Sequence, residues 1–208
     1  MLLFLVKEPF FQHHYLTTIR KNALGDFRTL LLEVTKSPAV LYFLNANRNA
    51  KENPNENFSR ELLELYTLGR GNYTELDIKE GARIFTGYRS STLEGIEFKE
   101  KSFDNGVKEY LGTSGNHTWE DAIDIILEKK ETAHFTASKF YRYFVNSTVN
   151  DVHIKQLANV FYKNDYDITC LLKEVVQSKW LYKDENVYSK IKSPIELWVG
   201  MIGIIKLS

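Results

Sequence analysis

The sequence predicts an all-α fold, an irregular multi-helix domain spanning residues 1–208, with a small β-hairpin insertion over residues 88–118. Three observations predict it. Apolar residues recur at a period near 3.6 along almost the whole chain, as they do in helices that bury one face. Serine, threonine, aspartate or asparagine stands just ahead of most of these periodic runs, where a side-chain oxygen can cap the first free amides of a helix. The period lapses only between Tyr88 and Trp119, where Gly95, Gly106, Gly112 and Gly115 all fall.

Taken in order, Phe10 to Lys21 forms a first, weakly marked helix. His13 and His14 are adjacent on it and point about 100° apart, so they cannot share one metal. Gly25 and Asp26 open a second helix with Phe27, Leu30, Leu31 and Val34 on one face, and Ser37-Pro38 restarts the chain into a third with Val40, Leu41, Phe43 and Leu44. Asn45 to Asn53 is a polar connector. It delivers the chain to a helix that starts at Asn53 or at Asn55 and ends near Gly69. On a regular helix Phe58, Leu62, Leu65 and Tyr66 share one side, and Glu56, Asn57, Arg60, Glu61, Glu64 and Thr67 crowd the other. Thr74 with Asp77 caps a following helix that carries Ile78, Ala82 and Phe85 and stops at Gly87. Gly81 borders that apolar stripe, where the lack of a side chain lets a neighbour come close. Asn53 to Tyr88 therefore reads as a helical hairpin.

In the insertion, Ile96 and Phe98 alternate with charged residues, Asn105-Gly106 is a favoured two-residue turn, and Val107 to Leu111 can return as a second strand. Helical patterns then resume. Thr118 precedes Trp119, Ala122, Ile123, Ile126 and Leu127; the run Glu131 to Val145 carries Ala133, Ala137, Phe140 and Phe144. Asn150 caps Ile154, Leu157, Ala158 and Phe161, and Asp167 caps Ile168, Leu171, Leu172 and Val175. Ser193, Pro194 and Glu196 form a capping box ahead of Ile195, Trp198, Val199 and Ile202.

Composition narrows the function. Lys plus Arg and Asp plus Glu each number 27, so no overall field favours nucleic acid or an anionic membrane. The one cysteine, Cys170, cannot form a disulfide within the chain and reads as a buried small hydrophobe. The apolar run Met1 to Val6 ends at Lys7, too short to span a bilayer or to form a signal-peptide core. The chain as it stands thus reads as soluble.

The run NENFSRELLELYTLG, residues 55–69, followed by NYTELDIKEGARIFTGY, residues 72–88, resembles the signature of the bacterial family called domain of unknown function 1800. NALGDFRTLLLEVTKSPAVLYFLN before it, and DNGVKEYLG and KSPIELWVG after it, match the family pattern in the same order. Within that signature Asn55, Glu56, Asn57, Arg60, Glu61, Gly69 and Gly87 are the motif positions. Phe103 stands where many members carry histidine. The resemblance implies that the chain lacks the family's N-terminal part and belongs to a longer, often exported protein. It also implies a partner, since the genes commonly adjoin those of domain of unknown function 1501, a family resembling alkaline phosphatases and sulfatases. A truncated core would leave Leu2, Leu3, Phe4, Phe10 and Phe11, or the apolar side of the last helix, exposed and prone to self-association.

Two functional readings follow. In the first, the chain is a helical binding or accessory module beside a separate alkaline-phosphatase-like hydrolase, for no serine elbow, phosphate-binding glycine loop, dinucleotide fingerprint or metal-ligand spacing occurs. In the second, the hairpin's polar wall is a site, with Glu61 and Glu64 as acid, base or metal ligands and Arg60 and Arg83 binding an anion. That reading expects Arg83 to bridge to Glu61 or Glu64. Asp104-Asn105-Gly106 reads as a turn rather than a calcium loop. Phe135, Phe140, Tyr141, Tyr143 and Phe144 read as core rather than a stacking platform, and His117, His134 and His153 carry no assigned role.

Overall fold

A computed structural model describes residues 6–91, 95–187, 189 and 191–205, with side chains up to residue 202. Its described residues form ten α-helices and two separate two-stranded antiparallel pairs, so the domain is all-α with small β insertions. Leu2, Leu3 and Phe4 lie outside the described residues.

The caps read from the sequence set the helix starts. After α1 (Pro9–Asn22), Asp26 accepts the amides of Arg28 and Thr29 to open α2 (Phe27–Thr35), and Ser37 accepts that of Val40 to open α3 (Pro38–Phe43). Of the two candidate caps for α4 (Glu56–Glu61), Asn55 is the one used: its side chain takes the Asn57 amide. Thr74 and Asp77 form a complete capping box on α5 (Glu75–Ile84), as Thr118 and Asp121 do on α6 (Trp119–Glu128). α7 (Lys130–Phe144) follows with no side-chain cap. Asn150 and Asp167 cap α8 (Asp151–Lys163) and α9 (Ile168–Gln177). The Ser193–Glu196 box opens α10 (Pro194–Ile205), with both reciprocal hydrogen bonds formed.

The asparagine-rich connector is a set of amide staples. Asn49 is 1% exposed; its amide group donates to the Ala82 carbonyl in α5, and its carbonyl oxygen accepts the Asn55 amide at the start of α4. Its backbone carbonyl takes the Gly87 N–H. One residue thereby ties the entry of α4 to the end of α5. Asn55 and Asn57 in turn donate to the Asn45 and Leu44 carbonyls.

Within the hairpin the close approach falls at Gly81. A β-carbon there would lie 2.2 Å from Ser59 Oγ and 3.0 Å from Tyr110 Cε2. The helix beyond α4 departs from its expected phase, because Leu62–Thr67 is a π-helical turn in which Leu68 N–H reaches the Leu63 carbonyl and Thr67 Oγ1 reaches that of Leu62. Each such turn inserts a residue into the 3.6 period. Hence Thr67, assigned to the polar wall, is fully buried with Leu63 and Leu68, while Leu65 and Tyr66, assigned to the core, face outward.

The insertion also differs from its expectation. One hairpin turning at Asn105-Gly106 is replaced by two: β1 (Tyr88–Ser91) pairs with β2 (Gly95–Phe98), and β3 (Lys108–Tyr110) with β4 (Thr113–Gly115). Leu111 and Gly112, with φ of 50° and 82°, make the second turn, a conformation suited to two-residue hairpin loops. Asn105-Gly106 cannot serve, because Asp104 folds back on the Gly106 amide and is held by Arg83.

Phe58, Phe85 and Trp119 form the centre of the core, with ring centroids 4.7 to 5.0 Å apart. Phe11 is buried with Val6 and Ala39 in a satellite cluster, contrary to the exposure expected of it, whereas Phe10 is exposed. On α7 the inward face is Ala133, Thr136, Ala137 and Tyr141; Phe144 and Tyr143 point outward, so the stripe expected there is rotated by about one residue. Cys170 is half-buried rather than buried.

Two substitutions test this packing. Asn49→Ala orphans a buried carbonyl and a buried amide and should cost about 2–3 kcal/mol in urea unfolding. Gly81→Ala should destabilise by about 1–2 kcal/mol even though alanine favours helix, because the added methyl meets Ser59 and Tyr110. Adding Ser59→Ala should recover part of that loss; strictly additive effects would show that the two do not touch.

Candidate functional site

Three arginines organise the hairpin's polar wall, and each is closed on its own carboxylates. Arg60 makes a two-pronged pair with Glu75, both distances 2.9 Å, and a second with Glu56 at 3.3 Å. Arg70 donates from Nε to Glu64 at 2.5 Å, and Glu64 accepts the Tyr73 hydroxyl on its other oxygen at 3.1 Å. Arg83 pairs with Asp104 and Glu80, each at 2.7 Å, and donates to the Val107 carbonyl. The bridge expected from Arg83 to Glu61 or Glu64 is not formed. Arg83 lies in the last turn of α5, next to the segment after β2, so its nearest carboxylates are Glu80 one turn back and Asp104 in that segment.

Glu61 has no ion pair or hydrogen bond among the described residues and is half-buried. Glu64, three residues on, is oriented by Arg70 and Tyr73, partners that Glu61 does not share. The hydrogen bond from Arg70 holds the Glu64 carboxyl below the usual range, as the one from Arg60 does for Glu75. No set of three or more His, Cys, Asp or Glu side chains among the described residues is arranged to hold a metal.

α5 also clamps the second hairpin. Asp77, besides its capping role, accepts the Leu111 amide at 2.7 Å, and Glu80 accepts the Glu109 amide at 3.1 Å. Beneath it Lys108 is 1% exposed, its ammonium bonded to the Asp104 carbonyl and to Asn116 Oδ1 and lying 4.8 Å over the Phe103 ring. Burial pushes this lysine below its ordinary range. Phe103 thus has a defined partner, a cation held against its face.

At the far end of the hairpin opens a groove of about 630 Å³ that sequence reasoning did not find. It lies where the Gly69 turn meets the start of α7 and the middle of α8. Leu68, Ala133 and Ala158 form apolar lining, and Phe135 is pressed against Gly69. Gly69 has φ of 76° and no room for a β-carbon, which would lie 2.7 Å from the Phe135 ring. The Lys139 ammonium lies over that ring at 4.5 Å and is itself bonded to the Leu65 carbonyl of the π-helical turn. The sequence signal that could have found the groove is the run Gly69-Arg70-Gly71-Asn72, where two left-handed glycines bracket an arginine at a helix end.

His153 stacks on Trp180 at 4.5 Å and faces the Tyr141 hydroxyl, a ring cluster between α8 and the turn after α9. Desolvation lowers its pKa.

The fold and the stapled hairpin define an all-α domain in which Asn55 and Asn57 hold the connector, Arg60 closes on Glu56 and Glu75, and Gly69 and Gly87 supply left-handed backbone. Residues 6–206 match the family described as Protein of unknown function (DUF1800), and the chain belongs to that family. No curated protein and no solved structure matches it.

Acid stability tests the Arg83 cluster. Arg83 donates to Asp104 and holds its carboxyl below the usual aspartate range. A carboxyl lowered on folding stabilises fully above its unfolded pKa, near 4, and that contribution disappears as pH falls through the folded value. Asp104→Asn should therefore cost about 1–3 kcal/mol at pH 7 and less at low pH, so that the difference between the two urea-unfolding series narrows below about pH 4. A difference independent of pH would show that Asp104 is not the ionised partner.

Proposed function

We propose that the chain is a helical binding or accessory module that works beside a separate hydrolase of the alkaline-phosphatase-like type, the partner implied by its family resemblance. The observation that carries this reading is α10. Ile195, Leu197, Trp198, Val199, Met201 and Ile202 are all exposed on it, Trp198 at 71%, and a helix that is apolar around so much of its circumference normally lies against another surface. No described helix is long and apolar enough to cross a membrane, so α10 is read as a protein-docking element. The hairpin gives complementary support: Arg60 and Arg83 are satisfied by neighbouring carboxylates, and Arg83 is paired with Glu80 and Asp104 instead of Glu61 or Glu64.

The test is affinity purification of the tagged full-length protein from its native cell, alongside a Trp198→Asp/Val199→Asp variant. The native protein should bring down a hydrolase-family protein in stoichiometric amount, and the variant should lose it while keeping its melting temperature, because both residues are exposed. Recovery of the native protein as a monodisperse monomer without the hydrolase, or as a dimer of itself that the variant abolishes, would overturn the proposal.

A further inference from the structure

The groove at the end of the hairpin differs from the saturated wall beside it. Its cations are only partly engaged. Arg70 uses Nε on Glu64, and its two terminal amino groups carry no hydrogen bond among the described residues; Lys130 and Lys155 have no ion pair among the described residues. One carboxylate, Glu131, also lines the groove, so positive charge exceeds negative there in a protein with no net charge.

The arginine is placed rather than merely exposed. Glu64 is only 18% exposed at its side chain, and it is fixed from behind by the Tyr73 hydroxyl. A guanidinium held at Nε by a fixed carboxylate presents its remaining N–H groups in a fork, the geometry suited to two oxygens of a tetrahedral anion. Lys130 opens α7, whose first amides have no side-chain cap, so the positive end of that helix's dipole falls at the groove edge. Phe135, packed against Gly69, lines the same groove, and Asn159 brings an amide with no partner among the described residues. At about 630 Å³ the space suits a small metabolite, well beyond what a bare ion fills.

We propose that this groove binds a small organic phosphate, with the phosphoryl group among Arg70, Lys130 and Lys155 and its hydroxylated or ring portion against Phe135 and Asn159. Glu64 is then a positioning residue for Arg70, which gives one of the hairpin's two candidate carboxylates a role that is neither acid nor base. The proposal stands apart from the docking of a partner on α10, which lies on a different element.

Calorimetric titration of the native chain at fixed ionic strength tests it, with glucose 6-phosphate, inorganic phosphate and glucose as probes. Glucose 6-phosphate should bind saturably with a Kd of about 1 mM or tighter, inorganic phosphate about tenfold more weakly, and glucose not measurably. Lys130→Gln/Lys155→Gln should weaken glucose 6-phosphate by at least about tenfold, as the loss of two charge-assisted contacts requires. Glu64→Gln should weaken it by about threefold to tenfold through the freed Arg70. The double lysine variant changes exposed groups only, and an unchanged thermal transition verifies the folding of each variant. Absence of saturation up to about 10 mM glucose 6-phosphate, equal affinity for inorganic phosphate, or binding unaltered in the double lysine variant would each overturn the proposal.

Discussion

The rest of the structure depends on the buried amide of Asn49. A primary amide offers donors and an acceptor on opposite sides of one planar group, and here they join the Ala82 carbonyl, inside α5, to the Asn55 amide, at the mouth of α4. The backbone carbonyl of the same residue takes the Gly87 N–H, which fixes where the chain leaves α5. With three groups of one connector residue committed, the two helices have neither rotational nor axial freedom. That rigidity is what allows Gly81 and Ser59 to meet at less than an ordinary side-chain distance. It also sets the two ends of the hairpin, with Arg83 beside Asp104 at one and Gly69 beside Phe135 at the other.

The hairpin's charges divide according to that frame. Where the helices face each other or the second β-hairpin, each carboxylate lies near an arginine or a backbone amide and is consumed by it: Glu75 by Arg60, Asp104 by Arg83, Glu80 by Arg83 and the Glu109 amide. Exposed pairs of this kind add little stability individually. Their effect is to fix geometry, and the pair of most consequence is Arg83 with Asp104, because it stops Asn105-Gly106 from acting as a hairpin turn and forces the chain into two short hairpins. Beyond the π-helical turn, by contrast, Arg70 is engaged by one nitrogen only. The polar surface therefore changes from self-satisfied to open within a few residues of Gly69.

The sequence made the helix starts legible because a cap is a local event. Asp26, Ser37, Thr74, Thr118, Asn150, Asp167 and Ser193 each act within three residues of themselves, and the three capping boxes at Thr74, Thr118 and Ser193 need no tertiary partner to be recognised. Gly81 was legible for a related reason: a glycine beside an apolar stripe has few uses other than close approach. What could not be read was phase and distance. A π-helical turn leaves no mark in residue type, yet it exchanged Leu65 and Tyr66 for Thr67 and Leu68 at the core, and so took Thr67 out of the expected polar wall. The pairing of Arg83 depended on the position of Asp104, twenty-one residues away across the insertion. No periodicity reports that position.

The groove was hidden by the same cause. Its parts come from Gly69 to Asn72, from the start of α7 and from the middle of α8, segments that are unrelated in sequence and look ordinary one at a time. They come together through a chain of local necessities. The π-helical turn ends at Leu68, Gly69 takes a left-handed conformation, and the absence of a β-carbon there admits the Phe135 ring. The Lys139 ammonium lies over the ring and bonds to the Leu65 carbonyl of the same turn. A side chain at Gly69 would collide with the Phe135 ring of α7. Gly69 is thus both the end of a helix and a point where the groove's walls meet, so the helix stop and the shape of the groove rest on one constraint.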